Sequence, residues 1–123
     1  MISGIFNADR EATISLKIVG MDGTERDITA MIDTGFNGYL TLPLAIIKEL
    51  GFPYVISGSV TVGDGRIEDL DIYAATIVWD GHLNTVETDA AETFPLIGMS
   101  LLYGYDLHIH ALDGGEVTIK KIF

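Results

Sequence analysis

The sequence predicts an all-β fold, a closed barrel or sandwich with one or two short helices, built as a single domain over residues 1–123. Three observations predict it. Short runs of residues alternate between apolar and polar, turns rich in glycine separate these runs, and 123 residues suit one hydrophobic core. No linker, low-complexity segment or repeat of fixed period divides the chain.

The predicted strands are recognised by alternation and by the turns between them. Between Ala12 and Val19, the apolar residues Ile14, Leu16 and Ile18 share one face, which is typical of a half-buried strand. Asp22-Gly23 then supplies a hairpin turn, because glycine tolerates positive φ. The later strands are expected over residues 26–32, 39–42, 55–62, 67–78, 83–88, 105–112 and 116–123.

Two short helical segments interrupt the strands. Pro43 suits the first turn of a helix over residues 44–50, and Gly51 suits the position just after its end. A second helical turn is expected over residues 99–103. The turns between the later strands are Gly63-Asp64-Gly65-Arg66, Asp80-Gly81 and Asp113-Gly114-Gly115.

The charge balance argues against two classes of partner. Seven Lys and Arg against eighteen Asp and Glu give a formal net charge of −11. So acidic a surface repels the phosphates of nucleic acids and of anionic membranes. Hydrophobic residues make up 48% of the chain, yet no apolar run approaches the ~18 residues of a membrane span. The apolar excess is expected in a dense β core or in a subunit interface.

Several other classes of site are excluded or disfavoured. Residues 1–7 lack the basic start and long apolar stretch of a signal peptide, which predicts a cytoplasmic protein. The absence of cysteine excludes disulfides and cysteine nucleophiles. His108 and His110 share a strand face, but zinc needs a third ligand and His82 lies in an unrelated turn. Ser100 lies in apolar helical sequence, without a nucleophile elbow. We predict no metal and no cofactor.

The residues that carry chemistry are Met31-Ile32-Asp33-Thr34-Gly35. An apolar strand runs directly into Asp33, so its carboxylate is expected at the edge of a buried sheet. There Thr34 and Gly35 can offer a hydroxyl and a backbone N–H to hold it. Asp-Thr-Gly alone is more often a turn than a site. Far downstream, however, residues 94–98 place bulky apolar residues before a glycine and a helix-like segment.

Three motifs in this order resemble the single-domain, retropepsin-like aspartic proteases of clan AA, which share the fold of pepsin and the retroviral proteases. They are apolar-apolar-Asp-Thr-Gly at 31–35, a glycine-rich hairpin turn at 63–65 and apolar-apolar-Gly at 96–98. The longer stretches 33–43 and 95–102 look like a prokaryotic branch of that family. The resemblance implies the acid-protease fold and hydrolysis of peptide bonds.

The resemblance also implies a role for each matching residue. Asp33 is then the catalytic aspartate, and Thr34 joins the two active-site loops by hydrogen bonding across a dimer. Gly35 lets the backbone approach the carboxylate, and Gly98 packs beneath the loop. Gly63-Asp64-Gly65 is then the tip of a flap that closes over bound peptide.

A single Asp-Thr-Gly has a direct consequence for assembly. The reaction needs a water held between two carboxylates, one ionised and one protonated, and like charges ~3 Å apart share one proton. This chain supplies one such carboxylate, Asp33. A twofold homodimer would place Asp33 beside its symmetry mate. We therefore expect a homodimer that acts on a peptide or protein substrate.

Two points depart from the retroviral pattern or stay open. Phe36 stands where a small residue commonly follows the glycine, and we expect it to narrow or reshape the neighbouring substrate pocket. Residues 1–6 and 117–123 are apolar enough to supply interface strands, but this is compatibility only.

The rival hypothesis is a homodimeric peptide- or protein-binding module on the same fold without turnover, because fold does not establish activity.

Overall fold

The computed structural model of the chain describes residues 1–61 and 63–123. In chain order its elements are β1 (Ile2–Phe6), β2 (Ala12–Val19), β3 (Glu25–Ile32), β4 (Leu40–Leu42), α1 (Leu44–Glu49), β5 (Tyr54–Thr61), β6 (Ile67–Trp79), β7 (His82–Ala90), β8 (Leu96–Ile97), α2 (Met99–Leu102), β9 (Tyr105–Ile109) and β10 (Glu116–Lys121). Within this described part, α1 and α2 are far too short to cross a membrane.

Six strands close into a barrel, which confirms the predicted fold class. They follow one another in the order β2, β3, β8, β4, β7 and β6, and β6 pairs back with β2. The β3–β8 and β4–β7 pairs are parallel, and the other pairs of this ring are antiparallel. Strand β5 extends the sheet beyond β6, and β1, β10 and β9 extend it beyond β2.

The barrel interior holds the hydrophobic core. Strand β2 shows the predicted alternation, with Ile14, Leu16 and Ile18 at most 2% exposed. Opposite strands bury their own apolar residues against these three, because the inward faces of a barrel meet at its centre. The largest fully buried apolar side chains from the other elements are Leu40, Leu42, Ile47, Ile77 and Ile97, together with Val117 and Ile119 of β10.

Glycines occupy the turns as predicted, and the observed strand ends differ from the predicted ones by a few residues. Gly23 and Gly51 have φ of +87° and +69°, values that favour glycine. Pro43 caps α1 from just outside the helix instead of lying in its first turn. Strand β9 ends at Ile109, three residues before the predicted end, because Leu112 N–H donates to the carbonyl of His110 in a tight turn.

Both terminal strands find their partners within the chain. Strand β1 lies between β2 and β10, with Gly4 opposite both Ile14 and Val117. Strand β10 lies between β1 and β9. Each edge of β1 and β10 is therefore occupied, and the outer edge of β9 is the open edge on this side of the sheet. The sequence did not predict β1 or the two-residue β8 as strands of the sheet.

We predict that Gly4→Ala weakens the pairing of β1 with β2 and so destabilises the fold. A Cβ at position 4 would lie 1.9 Å from the carbonyl oxygen of Thr13, which is backbone of β2 and can yield only if β1 moves away. The expected loss is about 1–3 kcal/mol in the free energy of unfolding, measured by urea denaturation. Ser3→Ala, at an exposed position of the same strand, is the matched control and should change little. Equal stability of both variants would contradict the close approach.

Candidate active site

Asp33 lies where two parallel strands end side by side. Strand β3 pairs with β8 through Met31–Leu96 and Ile32–Ile97, and the next N–H, that of Asp33, donates to the carbonyl of Ile97 at 2.9 Å. The backbone of Asp33 is thus fixed by the sheet while its side chain, half-buried, leaves it. This is the placement at a sheet edge that the apolar strand predicted.

The carboxylate is oriented by its own loop. Gly35 N–H donates to Asp33 Oδ1 at 3.0 Å, and Phe36 N–H donates to the Asp33 carbonyl at 3.1 Å. Thr34 is exposed at the top of this turn. A Cβ at Gly35 would lie 3.3 Å from Asp33 Oδ1, so glycine keeps the approach to the carboxylate open.

The start of α2 holds the rest of the loop. The first N–H groups of a helix have no partner within the helix. Here they find loop carbonyls: Met99 N–H donates to Phe36 at 2.8 Å and Ser100 N–H donates to Gly38 at 3.1 Å. Ser100 Oγ adds a bond of 2.5 Å to the carbonyl of Asn37. The loop after Asp33 is therefore fixed along its length.

Gly98 lies in direct contact with this loop. Its N–H donates to the carbonyl of Tyr39 at 3.0 Å. A Cβ at position 98 would lie 2.1 Å from the Gly38 carbonyl oxygen and 2.7 Å from Cδ2 of the Phe36 ring. Since one of these atoms belongs to backbone, any side chain at position 98 would displace the loop.

The ring of Phe36 rests on the two glycines. A Cβ at Gly38 would lie 2.6 Å from two atoms of the Phe36 ring, and a Cβ at Gly98 would also collide with it. Phe36 is half-buried. The ring thus fills space inside the loop, beside the junction of β8 and α2. Its expected effect on a substrate pocket stays a prediction.

The hairpin of β5 and β6 forms a separate part of the candidate site. Its turn, Gly63-Asp64-Gly65-Arg66, is exposed, and Gly65 has φ of +86°. Arg66 N–H and Nε donate to Asp64 Oδ1 and Oδ2 at 3.0 and 2.6 Å, which closes the turn. Val62, the last residue of the predicted strand 55–62, lies outside the described residues.

The structure brings together four of the predicted site residues, with Thr34 exposed in the same turn, and leaves the hairpin turn at 63–65 apart. Asp33, Gly35, Phe36 and Gly98 share one set of hydrogen bonds and contacts. Across residues 1–61 and 63–123, no hydrogen bond joins the hairpin turn at 63–65 to that set. The turn belongs to β5–β6, which reaches β3 through β2.

The sequence reasoning missed the residues that brace the loop. Asn37 and Gly38 were given no role of their own within the stretch 33–43, and Ser100 was considered only as a nucleophile. Their contact joins residues 63 positions apart, and no spacing rule in one sequence predicts such a pair. The pair of glycines at 38 and 98 is the one available signal, because glycine often marks a close approach of backbone.

The histidines do not form a site. His108 and His110 are exposed, and His82 begins β7. Among the described residues, no group of three or more His, Asp or Glu side chains is placed to hold a metal ion.

Comparison with known proteins establishes the fold. No protein-family model matches the sequence, and no curated protein matches it. The crystal structure of a retropepsin-like aspartic protease from Rickettsia conorii is similar, with a TM-score of 0.60 over 94% of this chain and 87% of that one. The chain has a retropepsin-like fold. Because only 18% of residues are identical, this likeness concerns the fold.

In this retropepsin-like fold the Asp89 carboxyl group has a raised pKa. Asp89 lies half-buried in β7, opposite Thr41 of β4 and Ile72 of β6. Desolvation by burial raises the pKa of Asp89, and the nearby negative charge of Glu87 raises it further. Both causes disfavour the ionised form, so the charge on Asp89 destabilises the folded chain at neutral pH.

We predict that Gly98→Ala displaces the Asp33 loop. The added methyl group would collide with backbone and with the Phe36 ring, so we expect a loss near the upper end of about 1–3 kcal/mol in the free energy of unfolding. Chemical denaturation measures this loss. Gly63→Ala is the control, because its Cβ would meet no atom within 4 Å. A change in Gly98→Ala no larger than in the control would contradict the packing.

We predict that Asp89→Asn stabilises the chain in a pH-dependent way. A raised pKa in the folded state means that stability is highest with the carboxyl protonated, and it falls as pH rises from the ordinary value of 3.8 through the folded pKa. The Tm of Asp89→Asn should therefore exceed that of the wild type at about pH 7 and approach it at about pH 3. Asp106→Asn, at an exposed position of β9, should show no such gain. A lower Tm for Asp89→Asn at neutral pH would refute the assignment.

Proposed function

We propose that this chain is an aspartic endopeptidase that acts as a homodimer, with Asp33 of each copy as the catalytic group. The observation that carries the proposal is the placement of its single Asp-Thr-Gly. Asp33 lies at the end of β3, is oriented by Gly35 N–H and belongs to a loop braced by α2, all within a retropepsin-like fold. The motifs at 31–35, 63–65 and 96–98 support a place in clan AA and its prokaryotic branch.

In the proposed reaction, the Asp33 carboxylates of the two copies have different roles although they are chemically identical. One Asp33 is ionised and draws a proton from a water as that water attacks the scissile carbonyl. The other is protonated and donates to the forming oxyanion. Because both groups lie ~3 Å apart at the symmetry axis, they share one proton and titrate as a pair. Neither copy has this pair by itself.

The local geometry supports the placement of the carboxylate. The bond from Gly35 N–H engages Asp33 Oδ1, so that Oδ2 would face the water and the second carboxylate in the proposed dimer. Thr34, exposed in the single chain, is the residue that would bond to the partner loop. The flap tip at Gly63-Asp64-Gly65 would close over the peptide, and Phe36 would limit the adjacent pocket.

The rigidity of the loop contributes to catalysis. A catalytic carboxylate must keep its position to within a fraction of an ångström as charge moves. The carbonyls of Phe36, Asn37 and Gly38 accept bonds from the start of α2, and Asp33 N–H is bonded to β8. The loop is thus held from two sides before any substrate binds.

We predict that Asp33→Asn abolishes peptide cleavage. An amide can neither take up the proton of water nor share one with a carboxylate, so we expect a loss of about a hundred- to ten-thousandfold in kcat/KM. Cleavage of a diverse peptide library at about pH 4–7, with and without a statine-type inhibitor such as pepstatin, measures it. Asp106→Asn, an exposed carboxylate on β9, is the matched control and should retain activity.

Two results would count against the proposal. Unchanged cleavage by Asp33→Asn would remove Asp33 from the mechanism. A well-folded wild-type dimer that cleaves nothing would favour a homodimeric binding module on the same fold.

A further inference from the structure

We propose that the second copy docks on an uncharged surface beside the Asp33 loop, formed by Tyr39, Met99 and Tyr103 and here called the α2 patch. The inference rests on the proposed homodimeric function, and it names the surface that the function requires. Met99 and Tyr103 lie at the start and just after the end of α2, and Tyr39 follows the active-site loop.

The first step is that the terminal strands are already in use. Strands β1 and β10 pair with each other, with Ile2 opposite Ile119 and Ile5 opposite Glu116. Their remaining edges pair with β2 and β9. An interface made by exchanging terminal strands between copies would have to break these ladders, so another surface must hold the dimer.

The second step is that the α2 patch is uncharged and that its large side chains are exposed in the single chain. Tyr39 is 40% exposed, Met99 42% and Tyr103 87%. With Asn37 and Ser100 they line a surface groove of about 380 Å³. Large exposed aromatic residues around a depression are typical of the centre of a protein interface.

The third step is that the patch is continuous with the active-site loop. Met99 N–H bonds to the carbonyl of Phe36, and Ser100 bonds to Asn37 and Gly38 through its side chain and its backbone. In a twofold dimer whose axis passes between the two Asp33 side chains, surfaces that flank the loop lie beside the partner copy. The hydrogen bonds between α2 and the loop make the α2 patch one of these flanking surfaces.

The fourth step is electrostatic. Each copy carries a formal charge of −11, so two copies repel one another at most approaches. None of the five side chains that line the groove is charged. Contact through this surface therefore buries apolar area without bringing carboxylates together, apart from the Asp33 pair whose shared proton the mechanism requires.

We predict that Tyr103→Glu weakens the dimer. The change removes an aromatic side chain and brings two like charges near the axis, so the dissociation constant should rise at least about tenfold. Sedimentation equilibrium over a wide concentration range measures it. Leu83→Glu is the matched control, because Leu83 is 68% exposed on β7 and outside the patch, and it should leave the constant unchanged.

Circular dichroism verifies that the variants fold, and Tyr103→Ala serves as a milder second variant. A dimer of Tyr103→Glu as tight as the wild type would overturn the inference, as would a wild type that stays monomeric. Weakening by Ile109→Lys on the open edge of β9, with Tyr103→Glu unaffected, would place the second copy there instead.

The inference and the proposed function can fail separately. If Tyr103→Glu is monomeric but the wild-type dimer shows no Asp33-dependent cleavage, the α2 patch stands and the endopeptidase proposal fails. If cleavage depends on Asp33 while Tyr103→Glu dimerises normally, the endopeptidase proposal stands and the patch is wrong. Activity of Tyr103→Glu that recovers at high protein concentration would support both.

Discussion

The short strand β8 is the constraint on which the rest of this structure depends. Its two residues, Leu96 and Ile97, pair with β3 on one side and with β4 on the other, and so complete the barrel. The carbonyl of Ile97 accepts the N–H of Asp33, and the next residue, Gly98, begins the junction that braces the Asp33 loop. The closure of the barrel and the position of the Asp33 carboxylate therefore depend on the same two-residue strand. Glycine at position 98 is what allows it, because a Cβ would meet backbone at 2.1 Å.

One chain is sufficient to position the Asp33 carboxylate, whereas the proposed reaction needs two chains. The single chain builds a rigid scaffold that holds Asp33 half-buried and oriented. The proposed reaction, however, requires a proton shared by two carboxylates, and that pair exists only at an interface. The terminal strands are satisfied internally, and the α2 patch remains exposed. In the proposed dimer, the net charge of −11 on each copy favours contact through a face that carries few charges.

Local patterns in the sequence were sufficient for much of the fold. Alternation between Ala12 and Val19 predicted β2 and its buried face, and Asp-Gly pairs predicted turns whose glycines have positive φ. The end of β3 at Asp33 was also predictable, because an apolar run stops there. These features depend on neighbours in the chain, so one sequence contains the information.

Long-range contacts were not predictable in the same way. A two-residue strand such as β8 has no periodicity, and the β6–β2 pairing that closes the barrel joins segments far apart in the chain. The packing of Phe36 between Gly38 and Gly98 likewise appears only in three dimensions. The expectation that Phe36 narrows or reshapes a neighbouring pocket came from its departure from the retroviral pattern and stays a prediction. The structure adds that the ring packs against the loop itself.

The most direct test of the central claim is the distance between the two Asp33 carboxylates in a crystal structure of the dimer with a bound peptide-like inhibitor. The account predicts facing oxygens about 3 Å apart, close enough to share one proton. Asp33 side chains that lie far apart and face solvent independently would contradict it.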